Sequence, residues 1–270
     1  MKDFADKVAV ITGAGSGIGR ALALDLAGRG ARLALSDVNA DGVAATAASC
    51  LAAGAKVEHQ VLDVSDREAF GTYAEQVVDG QGRVDLVVNN AGVTMTGPVL
   101  ALELDEIEWI MSINFWGVVH GTKAFLPHMV NARSGHVVNI SSIFGMIAVP
   151  GQAAYNASKF AVRGFTEALR QEMQNARTNV SVSCVHPGGI KTNIARGGRF
   201  AAGVDGKATS DLFDRIARTT PEVAAATILR GVEKDSARIF VGPDAFAIDG
   251  MQRVLGSAYQ GIVRRVASRG

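Results

Sequence analysis

The fold is decided near the start of the chain, where residues 8–19 read Val8-Ala9-Val10-Ile11-Thr12-Gly13-Ala14-Gly15-Ser16-Gly17-Ile18-Gly19. Four apolar residues suited to a buried strand lead into a glycine-rich turn, and a helix-forming run of alanine and leucine follows. Such a turn lets backbone amides approach a pyrophosphate, and the helix N-terminus adds partial positive charge. The stretch therefore predicts a dinucleotide site, although its spacing, Gly-x-x-x-Gly-x-Gly, is not Gly-x-Gly-x-x-Gly. A glycine-rich turn without a ligand is the alternative.

Beyond this turn, short apolar runs alternate with longer helical patterns. The predicted strands are Val8–Thr12, Arg32–Asp37, Lys56–Asp63, Asp85–Asn89, His136–Ile140, Ser181–His186 and Arg238–Val241. The predicted helices include Gly17–Gly28, Asn39–Ala53 and Ala153–Arg177, and a capping box at Ser65-x-x-Glu68 predicts a further helix start. Most strands are continuous hydrophobic runs, as parallel strands covered by helices on both faces are. The sequence predicts an α/β fold with a doubly wound parallel sheet.

Composition and charge narrow the class of protein. The 270 residues are 48 % hydrophobic and 20 % charged, which suits one domain with a large core. A net charge of +1 argues against a nucleic-acid partner, and the five histidines lack metal-ligand spacing, so no metal site is predicted. The sequence contains neither an integral membrane segment nor a signal peptide pattern. Cys50 and Cys184 suit packing better than a disulfide, so we expect a cytoplasmic protein.

An acidic residue, Asp37, ends the second predicted strand. A carboxylate at this place accepts hydrogen bonds from the adenosine ribose of a dinucleotide and repels a 2′-phosphate. No basic residue stands at Ser16 or Val38, where that phosphate would be bound, so the sequence favours NAD. NADP is the alternative, with Arg20 and Arg32 as the nearest basic candidates. Asp37 could instead merely start the next helix.

Tyr155 and Lys159 are four residues apart and share one face of a predicted helix. Free tyrosine has a pKa near 10, whereas a base working at neutral pH needs roughly 7–8. One ammonium about 5 Å away, at an effective dielectric near 20, supplies ~3.3 kcal/mol and lowers the pKa by ~2.4. Lys159 therefore brings Tyr155 almost into range as an acid or base. Ser142 lies thirteen residues before Tyr155, although its neighbour Ser141 could face the site instead.

These residues resemble one family, the NAD(P)-dependent short-chain dehydrogenases/reductases. The matches lie in the family's order over about residues 7–192: Thr12-Gly-x-x-x-Gly17-x-Gly19, Asp63, Asn89-Asn90-Ala91-Gly92, Asn114, Ser142, Tyr155-x-x-x-Lys159 and Pro187-Gly188-x-x-x-Thr192. Their conjunction is highly specific, whereas each alone is not. The resemblance implies a Rossmann-type parallel sheet of about seven strands in a single domain, residues 1–270.

The resemblance also implies roles. Tyr155 would give or take the substrate proton, Lys159 would bind the nicotinamide ribose and lower the Tyr155 pKa, and Ser142 would orient the substrate oxygen. Asn114 would hold a water in a proton relay, but it could also simply break a helix, and Asp63 could be an ordinary turn carboxylate. The predicted catalytic residues are Asn114, Ser142, Tyr155 and Lys159. The predicted cofactor contacts are Gly13, Ser16, Gly17, Ile18, Gly19, Asp37, Asp63, Val64, Asn90, Ala91, Tyr155, Lys159, Pro187, Gly188, Ile190 and Thr192.

Three segments bear on the substrate. An apolar pocket wall is predicted from Ile143, Phe144, Met146, Val149 and Pro150, with Met95 and Phe200 as further candidates. The wall favours a bulky, uncharged alcohol or ketone, steroid-like or aryl-alkyl, although core packing would explain the same residues. Residues 193–218, least periodic at 193–207, predict a substrate lid or else a surface excursion. Residues 244–268 predict a C-terminal helical extension that docks on the core or a neighbouring subunit, or else adheres to a membrane surface.

The sequence therefore predicts an oxidoreductase that transfers a hydride between NAD and a small-molecule secondary alcohol or ketone. One alternative is a non-catalytic nucleotide-binding regulator, against which the intact catalytic residues argue. Another is an isomerase with tightly held NAD, whose relatives have a different glycine spacing and a longer chain. A homodimer or homotetramer is expected from the helix that pairs subunits in the family, which here carries Phe115, Trp116, Val119 and Phe125.

Overall fold

The structure of the chain, a computed structural model, describes residues 1–267. The strands are β1 Val8–Thr12, β2 Arg32–Asp37, β3 Val57–Val61, β4 Leu86–Asn89, β5 Met95–Thr96, β6 Gly135–Ile140, β7 Val180–Pro187, β8 Arg199–Phe200 and β9 Arg238–Val241. The α-helices are α1 Gly17–Gly28, α2 Ala40–Ala52, α3 Arg67–Gln81, α4 Leu104–Met111, α5 Gly117–Ala132, α6 Ala153–Asn175, α7 Gly206–Ile216, α8 Pro221–Glu233, α9 Pro243–Leu255 and α10 Tyr259–Ala267.

Seven of these strands form one sheet in the order β3-β2-β1-β4-β6-β7-β9, and every pair in it is parallel. The order reverses direction after β1, which is the arrangement of a doubly wound fold. The predicted Rossmann-type sheet in a single domain is therefore confirmed. The carboxyl ends of the strands meet along one edge of the sheet, and the switch point lies between β1 and β4.

Alternating side chains of the strands fill two apolar cores, one on each face of the sheet. Along β1, Ala9 and Ile11 pack into one core with α1, α2 and α8, whereas Val10 packs into the other with α3 and α5. This burial on both faces explains why the sequence of β1 is continuously apolar. The edge strand β3 differs, since most of its side chains are exposed and Val61 is 54 % exposed.

A chain of polar side chains runs through the otherwise apolar centre of the sheet. Asn89 Nδ2 donates to Asn139 Oδ1 over 2.8 Å, and Asn139 Nδ2 donates to Thr166 Oγ1 over 3.0 Å. Asn89 also donates to Thr122 Oγ1 over 3.2 Å. These residues join β4, β6, α6 and α5, and all four are buried. The chain pairs both amide nitrogens and Asn139 Oδ1, whose burial without partners would be costly, whereas the buried Asn89 Oδ1 has no hydrogen-bond partner among the described residues.

The predicted start of α3 is wrong by one residue. Asp66, not Ser65, is the N-cap, and its Oδ1 accepts from the amides of Glu68 and Ala69 at 3.0 Å each. Ser65 instead donates its amide and hydroxyl to Asp63 Oδ1. An aspartate next to the predicted serine caps equally well, so the sequence alone did not separate them. The third strand also ends earlier than predicted, at Val61.

The segment predicted as a lid has more regular structure than its sequence suggests. Within residues 193–218, β8 pairs with β5 and α7 follows. The Arg199 amide donates to Thr94 O over 3.0 Å, and the Arg199 guanidinium lies 3.8 Å from the centroid of the Trp109 ring. The lid segment is thus attached to the chain that follows β4.

The C-terminal extension forms two helices, α9 and α10, instead of one. Within them Ala245 and Tyr259 are the buried residues, while Val254 is 83 % exposed. The last residue of the predicted extension, Ser268, lies outside the described residues. No helix in residues 1–267 has the length and apolar character needed to cross a membrane. Cys50 and Cys184 are both buried and unbridged, as packing residues are.

Candidate active site

The glycine turn after β1 packs closely against the chain that follows β4. Gly13 has φ +65°, and a Cβ added to it would lie 2.7 Å from Ala91 Cα. Thr12 Oγ1 accepts from the amides of Asn90 and Ala91, at 3.1 Å each. Asn90 Nδ2 donates to the carbonyls of Thr12 and Gly13, at 3.0 and 3.1 Å. The side chain of Asn90, a predicted cofactor contact, therefore shapes the turn.

The N-terminus of α1 is left open by the protein. Ser16 is the N-cap but makes no side-chain capping hydrogen bond, and the first turn contains no acidic residue. The caps of α2 and α3, by contrast, accept hydrogen bonds from their first turns. A Cβ on Gly17, which has φ +52°, would lie 3.0 Å from Thr192 Cγ2, so Thr192 borders the same turn. An open, positively polarised helix end beside glycines that leave room for a ligand fits a pyrophosphate.

Asp37 lies beside the glycine turn, at the carboxyl end of β2. Its Oδ2 accepts from the Gly15 amide over 2.8 Å, and its Oδ1 accepts from the Asn39 amide over 2.8 Å. Each carboxylate oxygen has further acceptor capacity. The carboxylate therefore fits the hydroxyls of an adenosine ribose, and the same charge would repel a phosphate there.

Four other predicted cofactor contacts differ in how far they are exposed to solvent. Asp63 is exposed, and its Oδ1 is already engaged by Ser65 in a turn. Val64 packs in the core against Gly117, and Ile190 is 3 % exposed within the other core, so these two can offer backbone atoms to the crevice. Ile18, in the first turn of α1, is half-buried.

Tyr155 and Lys159 both lie on α6 with their side chains buried, and Lys159 Nζ is 5.8 Å from the centroid of the Tyr155 ring. Lys159 Nζ donates to Ile140 O over 3.1 Å, at the end of β6. A Cβ on Gly92 would lie 3.3 Å from Lys159 Nζ and 3.2 Å from Asn114 Oδ1. Gly92 therefore allows the chain after β4 to approach both side chains.

Burial changes the acid–base behaviour of this pair. It lowers the pKa of Lys159 to about 8 and raises the pKa of Tyr155 above its ordinary value, while a hydrogen bond from Ser142 acts on Tyr155 in the lowering direction. The prediction that Lys159 brings the Tyr155 pKa down is therefore wrong for the protein without its cofactor. That prediction counted the attraction of the ammonium and omitted the desolvation of the phenol.

Ser142, not Ser141, faces Tyr155. The Ser141 hydroxyl donates to Lys159 O over 2.8 Å and is fully engaged with α6. Ser142 Oγ accepts from the Phe144 amide over 3.1 Å and keeps its own proton to donate. Ser142 O lies 3.2 Å from His186 Nδ1, whose ring is buried on β7 behind the serine.

The fourth predicted catalytic residue, Asn114, lies in a π-helical turn, Ser112–Trp116, between α4 and α5. Its Oδ1 accepts from the Val93 amide over 2.8 Å, and its Nδ2 donates to Val93 O and Ser158 Oγ at 2.9 and 3.0 Å. Both polar atoms of the side chain are therefore taken by protein groups. The side chain therefore fixes the chain after β4 beside α6.

The side chains packed around the Tyr155 ring are apolar. Met95, Phe144 and Ala201 pack in one cluster with Tyr155, and the Phe144 ring lies edge-on to it at 6.1 Å. Met146, another residue of the predicted wall, is likewise buried, at 2 % exposure. Phe200 lines an open cavity of about 490 Å³ bordered wholly by the lid segment, together with Arg196, Gly206, Lys207, Ser210 and Asp211.

One residue that the sequence analysis missed lies against the turn after β7. Asp244, at the start of α9, accepts from the Gly189 amide through Oδ2 over 2.7 Å. A Cβ on Gly188 would collide with the Asp244 carboxylate. No local pattern could identify this contact, since 55 residues separate Asp244 from Gly189.

The helix expected to pair subunits is only partly available for that purpose. Phe125 is fully buried within the protomer, against Phe70 and Tyr73, so its place in the predicted interface is wrong. Trp116 is 50 % exposed and stacks on His120. Trp116 and the half-buried Phe115 and Val119 therefore remain available to contact another subunit.

The model of the family described as short chain dehydrogenase matches residues 7–199. "Putative oxidoreductase SadH" of Mycobacterium tuberculosis is 56 % identical over 264 residues, which cover 97 % of this chain and 96 % of that protein. Human estradiol 17-beta-dehydrogenase 11 is 31 % identical over 268 residues, covering 99 % of this chain and 85 % of that protein.

Among solved structures, a short chain dehydrogenase/reductase from Burkholderia phymatum in complex with NAD superimposes with a TM-score of 0.88. It is 31 % identical in sequence, and the match covers 94 % of this chain and 95 % of the other. The similarity therefore extends over nearly the whole chain and is not confined to the sheet.

Proposed function

The chain belongs to the short-chain dehydrogenase/reductase family of oxidoreductases, and from that premise we propose that it is an NAD-dependent dehydrogenase/ketoreductase acting on bulky, apolar secondary alcohols or ketones. The observation that carries the proposal is the grouping of Ser142, Tyr155 and Lys159. Residues 91 and 92 link this group to the glycine turn, because Ala91 lies against Gly13 and Gly92 lies against Lys159. The three side chains of the group are a hydroxyl donor, an acid–base group and a cation beside a fitting dinucleotide cradle.

The residues of the chain have distinct roles in the proposed reaction. A bound nicotinamide cofactor would supply the hydride chemistry in both directions. Tyr155 removes the proton from the alcohol oxygen in oxidation and donates it to the developing alkoxide in reduction. Ser142 donates a hydrogen bond to that oxygen and so stabilises its negative charge. Lys159 stabilises the tyrosinate and orients the ribose.

Asp37 supports NAD over NADP. Its carboxylate is fixed by two backbone amides, so it cannot easily turn away from a 2′-phosphate. The solved relative from Burkholderia phymatum holds NAD in a fold that this chain shares, which also supports the proposal. We propose Gly13, Ser16, Gly17, Gly19 and Asp37 as the core of the cofactor site, with the remaining predicted contacts around them.

An apolar substrate is supported by the cluster around Tyr155. Met95, Phe144 and Ala201 present hydrocarbon next to the phenol, and they come from the chain after β4, the chain after Ser142 and the lid segment. The human relative is named an estradiol dehydrogenase, which makes steroid-like alcohols a reasonable part of a test panel. Residues 193–218 would cover such a substrate as a lid.

The test is a panel of alcohols and ketones with each of the two cofactors, followed by absorbance of the reduced nicotinamide. We expect turnover with NAD, with kcat/KM rising with the apolar area of the substrate. Tyr155→Phe removes only the hydroxyl and should abolish turnover while NAD binding persists. A preference for charged or phosphorylated substrates would contradict the proposal.

The same panel separates the alternatives. A nucleotide-binding regulator would bind NAD without turnover in wild type, and an isomerase with held NAD would convert substrate without net reduction of added NAD. Sedimentation tests the proposed homodimer or homotetramer, for which the exposed Trp116 is the residue to substitute. Only monomer at micromolar concentration would contradict that part.

A further inference from the structure

The short segment 143–149, here called the pocket wall, follows Ser142 and carries Phe144 against Tyr155. It consists of a single 3₁₀ turn, Ile143–Gly145, and irregular chain. Because so little regular structure supports it, its position depends on hydrogen bonds from neighbouring elements. Two side chains outside it, Asn156 and Tyr259, supply them.

Asn156 ties the pocket wall to the helix that carries Tyr155. Its Nδ2 donates to Phe144 O and Ile147 O, at 2.8 and 2.9 Å, and its Oδ1 accepts from the Val149 amide over 3.1 Å. Asn156 is 5 % exposed. These three bonds fix the base of the wall but leave the amide of Ala148 unused.

Tyr259 engages that remaining amide from the far end of the chain. The Ala148 amide donates to the Tyr259 hydroxyl over 2.9 Å, across a separation of 111 residues. Tyr259 is 7 % exposed, although most side chains of α9 and α10 face solvent. The burial of Tyr259, in an extension whose side chains mostly face solvent, indicates one place where the extension is attached.

The other end of the same extension is attached to a second part of the site, after the neighbouring strand β7. Asp244, in the first turn of α9, binds the Gly189 amide in the turn after β7. The C-terminal extension therefore contacts both the turn after β7, where Gly189 lies between the predicted cofactor contacts Gly188 and Ile190, and the pocket wall. An extension held at these two places can set the distance between them.

We propose that Tyr259 is a positioning residue for the substrate: by holding Ala148 it fixes the pocket wall, so that the C-terminal extension determines which alcohols fit beside Tyr155. The effect on substrate choice rests on the proposed function, whereas the hydrogen bond between the Ala148 amide and Tyr259 is independent of it. It makes the extension part of the specificity apparatus.

The test compares Tyr259→Phe with Tyr73→Phe. Both changes remove a hydroxyl from a buried tyrosine ring. Tyr73 is the control because it lies on α3 and packs against Phe125, in the core between the sheet and α3 and α5. Hydrogen–deuterium exchange is measured on the peptide that contains Ala148, in the full-length protein. Loss of one hydrogen bond predicts about fivefold faster exchange there in Tyr259→Phe and no change in Tyr73→Phe.

The second measurement is steady-state kinetics with a bulky and a small secondary alcohol. Tyr259→Phe should raise KM for the bulky alcohol about fivefold, with kcat, the KM for NAD and the KM for the small alcohol within about twofold of wild type. Tyr73→Phe should leave all four values unchanged. The split between KM and kcat distinguishes positioning of the wall from a general loss of structure.

Unchanged exchange at Ala148 in Tyr259→Phe would overturn the attachment. Faster exchange with an equal loss for both alcohols and for NAD would overturn the specificity role. If wild type turns over no alcohol, the proposed function fails, and the exchange measurement still decides whether Tyr259 holds the pocket wall.

Discussion

Replacing Lys159 with methionine should stabilise the protein at neutral pH while abolishing its turnover. Methionine keeps the length of the side chain and removes the charge. Lys159 is 3 % exposed, and its ammonium has the Ile140 carbonyl as its protein hydrogen-bond acceptor. A buried ammonium with so little compensation opposes folding.

The magnitude follows from the pKa. Burial lowers the pKa of Lys159 from 10.5 to about 8. Below pH 8 the folded protein must keep a proton that it binds more weakly than the unfolded chain does, which costs about 3 kcal/mol. The lost hydrogen bond to Ile140 costs about 1 kcal/mol, so the variant should be more stable by about 2 kcal/mol at pH 7.

The pH dependence has a definite sign. Between pH 8 and 10.5 the unfolded chain binds more protons at this lysine than the folded protein does, so this group makes wild type more stable as pH rises. The methionine variant lacks that gain. Its advantage should therefore fall by about 2 kcal/mol between pH 7 and pH 9.5 and disappear there.

The assay is urea unfolding of both proteins without NAD, at fixed protein concentration and at pH 7 and 9.5. Lys123→Met is the control, because Lys123 is an exposed lysine on α5. Its effect should stay within about 0.5 kcal/mol at both values. A Lys159→Met variant less stable than wild type at pH 7, or a stability difference independent of pH, would refute the reasoning.

Three further changes test the site. Gly13→Ala places a Cβ at φ +65° and 2.7 Å from Ala91 Cα, so it should cost at least about 2 kcal/mol in thermal unfolding and abolish NAD binding in a titration. Ser142→Ala should lower kcat about 100-fold, whereas Ser141→Ala should lose about 1 kcal/mol of stability, through its bond to α6, with kcat within about threefold. Asp37→Ser should raise the ratio of kcat/KM with NADP to that with NAD by at least about tenfold; an unchanged ratio would remove Asp37 from the cofactor site.

The main sheet could be predicted from the sequence because its information is local. Each buried strand is an apolar run, and the glycine turn after β1 predicts both the junction between strand and helix and a dinucleotide site beside it. The two-residue strands β5 and β8 could not be predicted, since two residues show no periodicity. Their pairing depends on chain segments about 100 residues apart.

The sequence predicts which residues form the site better than it predicts their pKa values and hydrogen-bond partners. Tyr155 and Lys159 follow from their spacing, and Ser142 follows from the family resemblance; the structure adds the reason why Ser141 is not available, since its hydroxyl donates to Lys159 O. The pKa of Tyr155 moved opposite to expectation because desolvation depends on everything packed around the phenol. Asp244 and Tyr259 act over separations of 55 and 111 residues, where sequence pattern says nothing.

The amide chain at the centre of the sheet has a consequence for which alignment of strands the protein selects. In the observed alignment Asn89 lies opposite Asn139, and Val87 and Val88 lie opposite Val137 and Val138. Sliding β6 by two residues would keep its apolar side chains facing inward, so hydrophobic burial hardly distinguishes the two alignments. The slide would leave buried amides without partners, at about 1–3 kcal/mol each. The hydrogen bond between Asn89 and Asn139 therefore favours the observed alignment of β4 and β6 over one that hydrophobic burial alone would allow.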